Sequence, residues 1–246
     1  MNASEFEKHD VHEATHWWFE GRRRVIRSVL KQHLLPRSGR RVLDVGCGTG
    51  GMFELLREFG SVEGVEMSGD ARARAARKYP NETVHAGGLP DGLPPGQWDT
   101  ITLFDVLEHV DQPVEAVRAI REHLVFDGQL IVTVPAFSFL WSQHDELNQH
   151  KRRYGRTELV SHLTSGGFRV TYVSYFNSLL FPAVASARLL ERLMPHRFGA
   201  GTDSDLNDTK EPFNTVLKTV FGAEKWLLKA SPLPIGVSLI AVAQRA

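Results

Sequence analysis

Val42-Leu43-Asp44-Val45-Gly46-Cys47-Gly48-Thr49-Gly50-Gly51 places a cluster of glycines directly behind a short apolar run. The run reads as a buried strand passing through a tight turn into a helix. Glycines at such a junction let backbone approach a ligand closely, and the helix start adds unpaired N–H groups. A ligand-free strand–helix turn would use the same glycines, so the neighbouring acids decide. Asp44, two residues before Gly46, would repel a pyrophosphate but attract an ammonium. Glu66 closes the next apolar run, where a carboxylate can accept both hydroxyls of a ribose. Standing alone, Glu66 would read as a surface acid at a strand end. Gly46, Gly48 and Gly51 also satisfy the G-x-G-x-x-G spacing of dinucleotide binders, so a nicotinamide cofactor stays open on the glycines alone.

Two further clusters carry chemistry. His16-Trp17-Trp18-Phe19 precedes Arg22-Arg23-Arg24, and Trp18 and Arg22 share the helical face that continues through Val25, Ile26 and Val29. An arginine in line with a core stripe needs a partner, and the carboxylate of a bound ligand is one. The alternative is snorkelling at the core edge beneath packed aromatics. Farther along, Trp141-Ser142-Gln143-His144-Asp145 is followed by His150-Lys151-Arg152-Arg153-Tyr154. His144 or His150 can serve as a general base near neutral pH. Arg152 and Arg153 suit bidentate contact with an anionic group on a substrate. The cluster can equally be a solvated loop pairing with Asp145, Glu146 or Glu158. The Glu108-His109 pair is expected to shape a pocket floor, with an acid–base role as the lesser alternative. His144, Asp145 and His150 match no metal-ligand spacing, so no metal is expected.

The elements that position these residues alternate. Glu13–Leu35 reads as a helix ended by Pro36 and Gly39. Strands are expected at Arg41–Val45, Ser61–Glu66, Glu82–His85, Trp98–Phe104 and Gln129–Val134. Helices are expected at Gly51–Phe59, Asp70–Tyr79 and Pro113–Leu124, with a Gly/Pro-rich loop from Gly87 to Gln97. This alternation is the mark of a parallel sheet covered on both faces. A helix from Thr157 to about Thr164 and the strand Phe168–Tyr175 follow. Two apolar helices, Ser178–Met194 and Pro212–Ala230, flank a polar stretch from Arg197 to Lys210 that reads as a mobile loop. Gly236–Ala243 is the closing strand.

With these elements in place the chain resembles the class I S-adenosylmethionine-dependent methyltransferases, in their small-molecule branch. Asp44-x-Gly46-x-Gly48-x-Gly50 looks like their first motif, with Glu66 at the ribose position. Trp98 through Val110 looks like their fourth-strand motif, and Gly128 through Pro135 like their fifth strand. The resemblance covers about residues 40–175 and the last strand. It implies a Rossmann-like α/β fold: a seven-stranded, mostly parallel sheet with an antiparallel last strand. S-adenosylmethionine, which carries an ammonium and no phosphate, is the implied cofactor. Asp44, Gly46, Cys47, Gly48, Gly50, Glu66, Phe104 and Asp105 are the implied cofactor contacts. Relatives often carry an Asp after the third strand for the adenine amino group, but Gly88 stands there. Leu89 and Met67 are then expected to hold adenine by apolar contact. An N-terminal helix often lies over the cofactor in such enzymes, which puts Trp18 and Arg22 at the site. Substrate contacts are expected from Trp141, Arg152, Arg153 and Tyr154.

The expected organisation is one methyltransferase domain: a lid helix (1–36), a cofactor-binding core (37–175), a helical insertion (176–231) and a last strand (232–246). The insertion is more apolar than a connector needs. It reads as a hairpin on the sheet edge, with a cap over a hydrophobic substrate, a dimer surface or membrane-surface contact as alternatives. The 246 residues carry 29 basic and 29 acidic side chains. With no net field to hold nucleic acid, the expected partner is a small-molecule acceptor, and the protein a monomer or homodimer. One cysteine and no leader-like start fit the cytoplasm. The expected reaction is methyl transfer to an O, N or C nucleophile of a small, amphiphilic or hydrophobic molecule. A nicotinamide-dependent oxidoreductase and a non-catalytic S-adenosylmethionine-binding protein are the rivals.

Overall fold

The computed structural model describes residues 13, 15–193 and 209–246. Seven strands pair into one sheet: β1 (Arg41–Val45), β2 (Ser61–Glu66), β3 (Thr83–Ala86), β4 (Trp98–Phe104), β5 (Leu124–Pro135), β6 (Phe168–Phe176) and β7 (Ser238–Arg245). Their order is β3-β2-β1-β4-β5-β7-β6. β7 runs antiparallel to both of its neighbours, while the other pairs are parallel. The Rossmann-like architecture implied by the resemblance is therefore the one observed. Strands buried on both faces explain the near-continuous apolar runs in β1, β4 and β5.

The helices are α1 (Trp17–His33), α2 (Phe53–Leu56), α3 (Gly69–Lys78), α4 (Pro113–Glu122), α5 (Gln143–Leu147), α6 (Arg156–Ser165), α7 (Phe181–Leu193) and α8 (Phe213–Ala230). On one face of the sheet, Val117 and Ile120 of α4 and Leu159 and Leu163 of α6 pack with Leu43, Ile101 and Val132. On the other, Val25 and Ile26 of α1, Phe53 of α2 and Phe221 of α8 pack with Val42, Ile131 and Val242. Several boundaries depart from the sequence reading, three of them with a visible cause. α1 starts at Trp17 because the His16 imidazole accepts the Trp18 amide at 3.3 Å and caps the helix. α2 is one turn long, since the glycine loop continues to a turn in which the Phe53 amide donates to the Gly50 carbonyl. β5 begins at Leu124, where a register shift between Trp98 and Thr100 absorbs the extra length. α5, capped reciprocally by Ser142 and Asp145, was not expected.

The two helices before β7 behave differently from each other. α8 lies on α1: Phe221 is fully buried, meets Trp17 edge-on at 6.2 Å and covers Gly21. Asn214 accepts the Trp17 amide at 2.8 Å and donates to the Thr15 carbonyl at 3.0 Å. α7 buries none of its residues, and Leu189, Leu190 and Leu193 are exposed. The polar stretch Arg197–Lys210 lies outside the described residues apart from Thr209 and Lys210. Among the described residues no helix is long and apolar enough to cross a membrane.

The α1–α8 contact makes a discriminating stability test. On an open helix, Gly→Ala gains ~1 kcal/mol of helix propensity. At Gly21, however, a Cβ would sit 2.5 Å from the Phe221 ring. Gly21→Ala should therefore destabilise the protein, by about 1–3 kcal/mol in denaturant unfolding. Adding Phe221→Leu should cost less in that background than alone. A stabilised Gly21→Ala protein would contradict this packing.

Candidate active site

The sheet order reverses between β1 and β4, and the crevice beyond the carboxyl ends of those strands is where open α/β sheets bind ligands. The glycine turn stands at that crevice. Gly46, Gly48 and Gly50 have φ of 74°, 56° and 82°, a region costly for other residues. A side chain at Gly46 would also meet Val106 at 2.5 Å. The Gly46 and Cys47 amides donate to the Val65 carbonyl at 2.8 and 3.1 Å, tying the turn to β2. Glu66, at the end of β2, is buried. One of its oxygens accepts the Gly48 amide at 3.0 Å and the other the Ser68 amide at 2.8 Å. Each oxygen keeps a second lone pair for a ligand hydroxyl. Asp44 is 2% exposed and accepts the Thr102 hydroxyl at 2.6 Å. Burial pushes its carboxyl up to about 7, against the pull of Thr102 and Arg22.

α1 closes one side. Arg22 donates to Asp105 at 2.6 Å and to the Thr133 hydroxyl at 3.1 Å, and that hydroxyl donates to the other Asp105 oxygen at 3.0 Å. Its guanidinium lies 5.1 Å from the Trp18 ring centre and 5.7 Å from that of Phe104. The arginine on the core stripe thus has a protein partner, where the sequence left a ligand carboxylate or snorkelling as the choices. Ahead of α1, Glu13 accepts the Thr49 hydroxyl at 2.8 Å and the Lys78 ammonium at 2.9 Å, so this segment crosses the glycine turn.

Together these elements line a cleft of about 1020 Å³. Trp18, Arg22, Asp44, Gly46, Cys47, Gly48, Glu66, Met67, Gly88, Leu89, Phe104 and Asp105 all face it, whereas Gly50 shapes the turn from behind. A Cβ at Gly88 would meet the Met67 side chain at 2.6 Å, so glycine lets that exposed methionine lie against the wall. Asp91 lines the same wall and was missed, since it sits in the Gly/Pro-rich stretch read only as a loop. Six carboxylates (Glu13, Asp44, Glu66, Asp91, Asp105, Asp111) face three cations (Arg22, Arg23, Lys151). Such a wall favours a cationic ligand over a pyrophosphate.

A second chamber of about 400 Å³ adjoins the cleft, sharing Trp18, Asp105 and His109 with it. His109, His144 and His150 line it together, with Leu140, Val184, Ala187 and Val237 as apolar wall. His150 Nδ1 lies 2.8 Å from Asp145, whose two oxygens also accept Arg153 Nε and Nη2 at 2.7 and 2.9 Å. Despite complete burial, hydrogen bonds from His150 and Arg153 hold the Asp145 carboxyl well below the usual range. Burial, reinforced by His150, pushes His109 down to about 4, so its imidazole is neutral near neutral pH. Glu108 lines this chamber beside His109.

The expected substrate contacts need correction. Tyr154 is a core residue whose hydroxyl donates to the Leu107 carbonyl at 3.2 Å. Arg152 donates to the Asp111 carbonyl at 3.1 Å and lines neither cavity, and Trp141 lines neither. Arg153 reaches the second chamber, but its fork is consumed by Asp145. Adjacency in sequence suggested one exposed basic cluster, whereas the bridge between Ala136 and Tyr154 draws this segment inward.

A family model described as a methyltransferase domain matches residues 17–175. The chain is 32% identical over 105 residues to a ubiquinone biosynthesis O-methyltransferase of Pseudomonas aeruginosa, a match covering 39% of this chain and 44% of that protein. Among solved structures, a S-adenosylmethionine-dependent methyltransferase from Archaeoglobus fulgidus superposes with a TM-score of 0.55 at 19% identity, over 90% of this chain and 94% of that one. The putative methyltransferase solved with the Haloferax volcanii Trm112 activator gives 0.62 at 14% identity, over 98% and 94%. The glycine turn, β1 to β5 and α1 all fall inside the matched region, and the chain belongs to the S-adenosylmethionine-dependent methyltransferase family.

Proposed function

We propose that the larger cleft holds S-adenosylmethionine and the adjoining chamber holds the acceptor, a small and largely apolar molecule that receives the methyl group on a hydroxyl oxygen. The observation that carries this reading is the common wall of the two cavities at Trp18, Asp105 and His109. Methyl transfer needs the nucleophile in line with the methyl group, which two cavities meeting at one wall can enforce. When bound, the cofactor supplies an electrophilic methyl on a sulfonium. Glu66 would take the ribose hydroxyls, Asp44 the ammonium, and Leu89 and Met67 the adenine face, with Asp91 in reach of that wall. Trp18 and Arg22 would exclude water from the methionine end.

The acceptor side is supported by the chamber's make-up. Leu140, Val184, Ala187 and Val237 suit an apolar body, and the neutral His109 adds no charge to that wall. Oxygen is favoured as the nucleophile because the curated relative is named an O-methyltransferase. The chain spans less than half of that relative's length, so the acceptor is argued from the chamber. An anionic head on the acceptor loses its support, since Arg153 is paired with Asp145, and Arg188 at the same wall donates to Glu191 at 3.0 Å.

Three outcomes follow. In calorimetric titration the protein should bind S-adenosylmethionine and S-adenosylhomocysteine but not NAD, and Glu66→Ala should lose roughly 1.5–3 kcal/mol of that affinity. Tight NAD binding without a response to S-adenosylmethionine would overturn the reading.

The Asp44 test separates binding from stability. Because its folded value is raised to about 7, the unfolded chain ionises first, and the ligand-free protein loses stability as pH climbs from the ordinary carboxylate range towards 7. Asp44→Asn should raise the Tm of the ligand-free protein at pH 8, by an amount that shrinks as pH falls, while weakening cofactor binding. A lower Tm at pH 8 would refute the role of burial.

Finally, Ala187→Phe should fill the chamber, leaving cofactor affinity intact and lowering turnover at least about tenfold by displacing the acceptor. Radiolabelled methyl transfer into a lipophilic extract, with products identified by mass spectrometry, provides the assay. Unchanged turnover would place the acceptor elsewhere.

A further inference from the structure

The floor of the second chamber contains a group that methyl transfer as described does not use. Glu108, in a single 3-10 turn after β4, is fully buried, and neither carboxylate oxygen has a hydrogen-bond partner. A buried carboxylate of that kind is costly unless a proton or a cation meets it. Around it stand His109 and His150, and one ligating atom from each of the three side chains lies within 4.8 Å of the other two. The two imidazoles meet at 4.8 Å between ring centres. The arrangement is braced, because the Lys151 amide donates to the Glu108 carbonyl at 2.9 Å and the His150 amide to the Asp145 carbonyl at 2.8 Å.

The surroundings follow the pattern of a metal centre. A ligating histidine usually gives its second ring nitrogen to a carboxylate or a backbone carbonyl, which fixes the ring and its tautomer. His150 does so through Nδ1 at 2.8 Å from Asp145, leaving Nε2 free to ligate. Asp145 is itself immobilised by Arg153. The His109 ring hydrogen-bonds the Gln149 backbone. All three candidate ligands line the chamber, so further coordination positions would face the acceptor. Tetrahedral nitrogen and oxygen ligands at ~2.0–2.1 Å from an ion lie ~3.4 Å apart, a closure that side-chain torsions can supply.

We propose that Glu108, His109 and His150 bind one divalent transition-metal ion, with Asp145 as the outer carboxylate that orients His150, and that the ion takes an oxygen of the acceptor. Two histidines and one carboxylate suit zinc, manganese, iron or cobalt rather than calcium. The proposal rests on the reading of this chamber as the acceptor site and narrows the acceptor to a hydroxyl compound able to ligate a metal. It departs from the sequence expectation of no metal, because the ligands come from two separate segments. An oxygen held by the ion would lose its proton to solvent more readily, and would then form the O–CH3 bond as the cofactor's S–CH3 bond breaks.

The test uses the full-length protein, stripped with chelator and titrated with Co2+ while visible absorption is read. One equivalent should bind and give a d–d spectrum with nitrogen ligation. Glu108→Gln should weaken Co2+ binding at least about tenfold, with S-adenosylhomocysteine affinity retained as the sign of an intact fold. If that variant does not fold, proton NMR of the Co2+-loaded wild type decides, and two paramagnetically shifted histidine rings are expected. No stoichiometric Co2+ binding by folded wild type, undiminished binding by Glu108→Gln, or no shifted rings would overturn the proposal. Titration with S-adenosylhomocysteine alone reads the proposed cofactor site independently, so loss of one conclusion is distinguishable from loss of the other.

Discussion

The ion pair between Arg22 and Asp105 is the constraint on which the site depends. It joins α1 to the end of β4, and Thr133 bonded to both residues brings in β5. Asp105 adopts φ 59°, an uncommon conformation outside glycine, which turns its carboxylate back under the helix. The wall formed in this way divides the cofactor cleft from the second chamber. Removing Asp105 would leave the Arg22 guanidinium, only 8% exposed, without its ion partner, a heavier cost than the pair itself is worth. The packing of α8 on α1 backs this wall from outside, with Phe221 against Gly21. A region late in the sequence thereby holds the earliest described helix over the site.

The electrostatics of the cleft set this glycine pattern apart from that of a phosphate cradle. Backbone amides at the turn are already engaged: those of Gly46 and Cys47 by the Val65 carbonyl, and that of Gly48 by Glu66. Few remain to cradle a phosphate, and carboxylates outnumber cations on the walls. The buried Asp44 is disfavoured in its charged form in the ligand-free protein, and an ammonium would reverse that preference. In the ligand-free protein that burial costs stability.

Much of this was legible because it is local. The strand–turn–helix at 42–51, the acid ending β2 and the alternation up to β5 all announce themselves through periodicity and turn residues. Arg22 could be singled out from its helical face, but its partner lies 83 residues away and no local pattern names it. For the basic run at 150–153 the sequence offered both a substrate anchor and pairing with nearby acids, and the fold chooses pairing: His150 and Arg153 meet Asp145, and Lys151 meets Asp111. Glu108 could be placed with His109 at a pocket floor from sequence, but its complete burial and the approach of His150 emerge only in the fold. α2 was overestimated because apolar periodicity continues where turn hydrogen bonds take over.

The central claim is that two cavities meet at the Trp18–Asp105–His109 wall and that methyl transfer occurs across it. A crystal structure of the complex with S-adenosylhomocysteine tests this most directly. The account predicts adenosine between Glu66 and Leu89, the amino group towards Asp44, and the sulfur directed at the wall shared with the second chamber. A sulfur facing open solvent, or a ligand bound with its adenine end against Trp18 and Asp105, would contradict it.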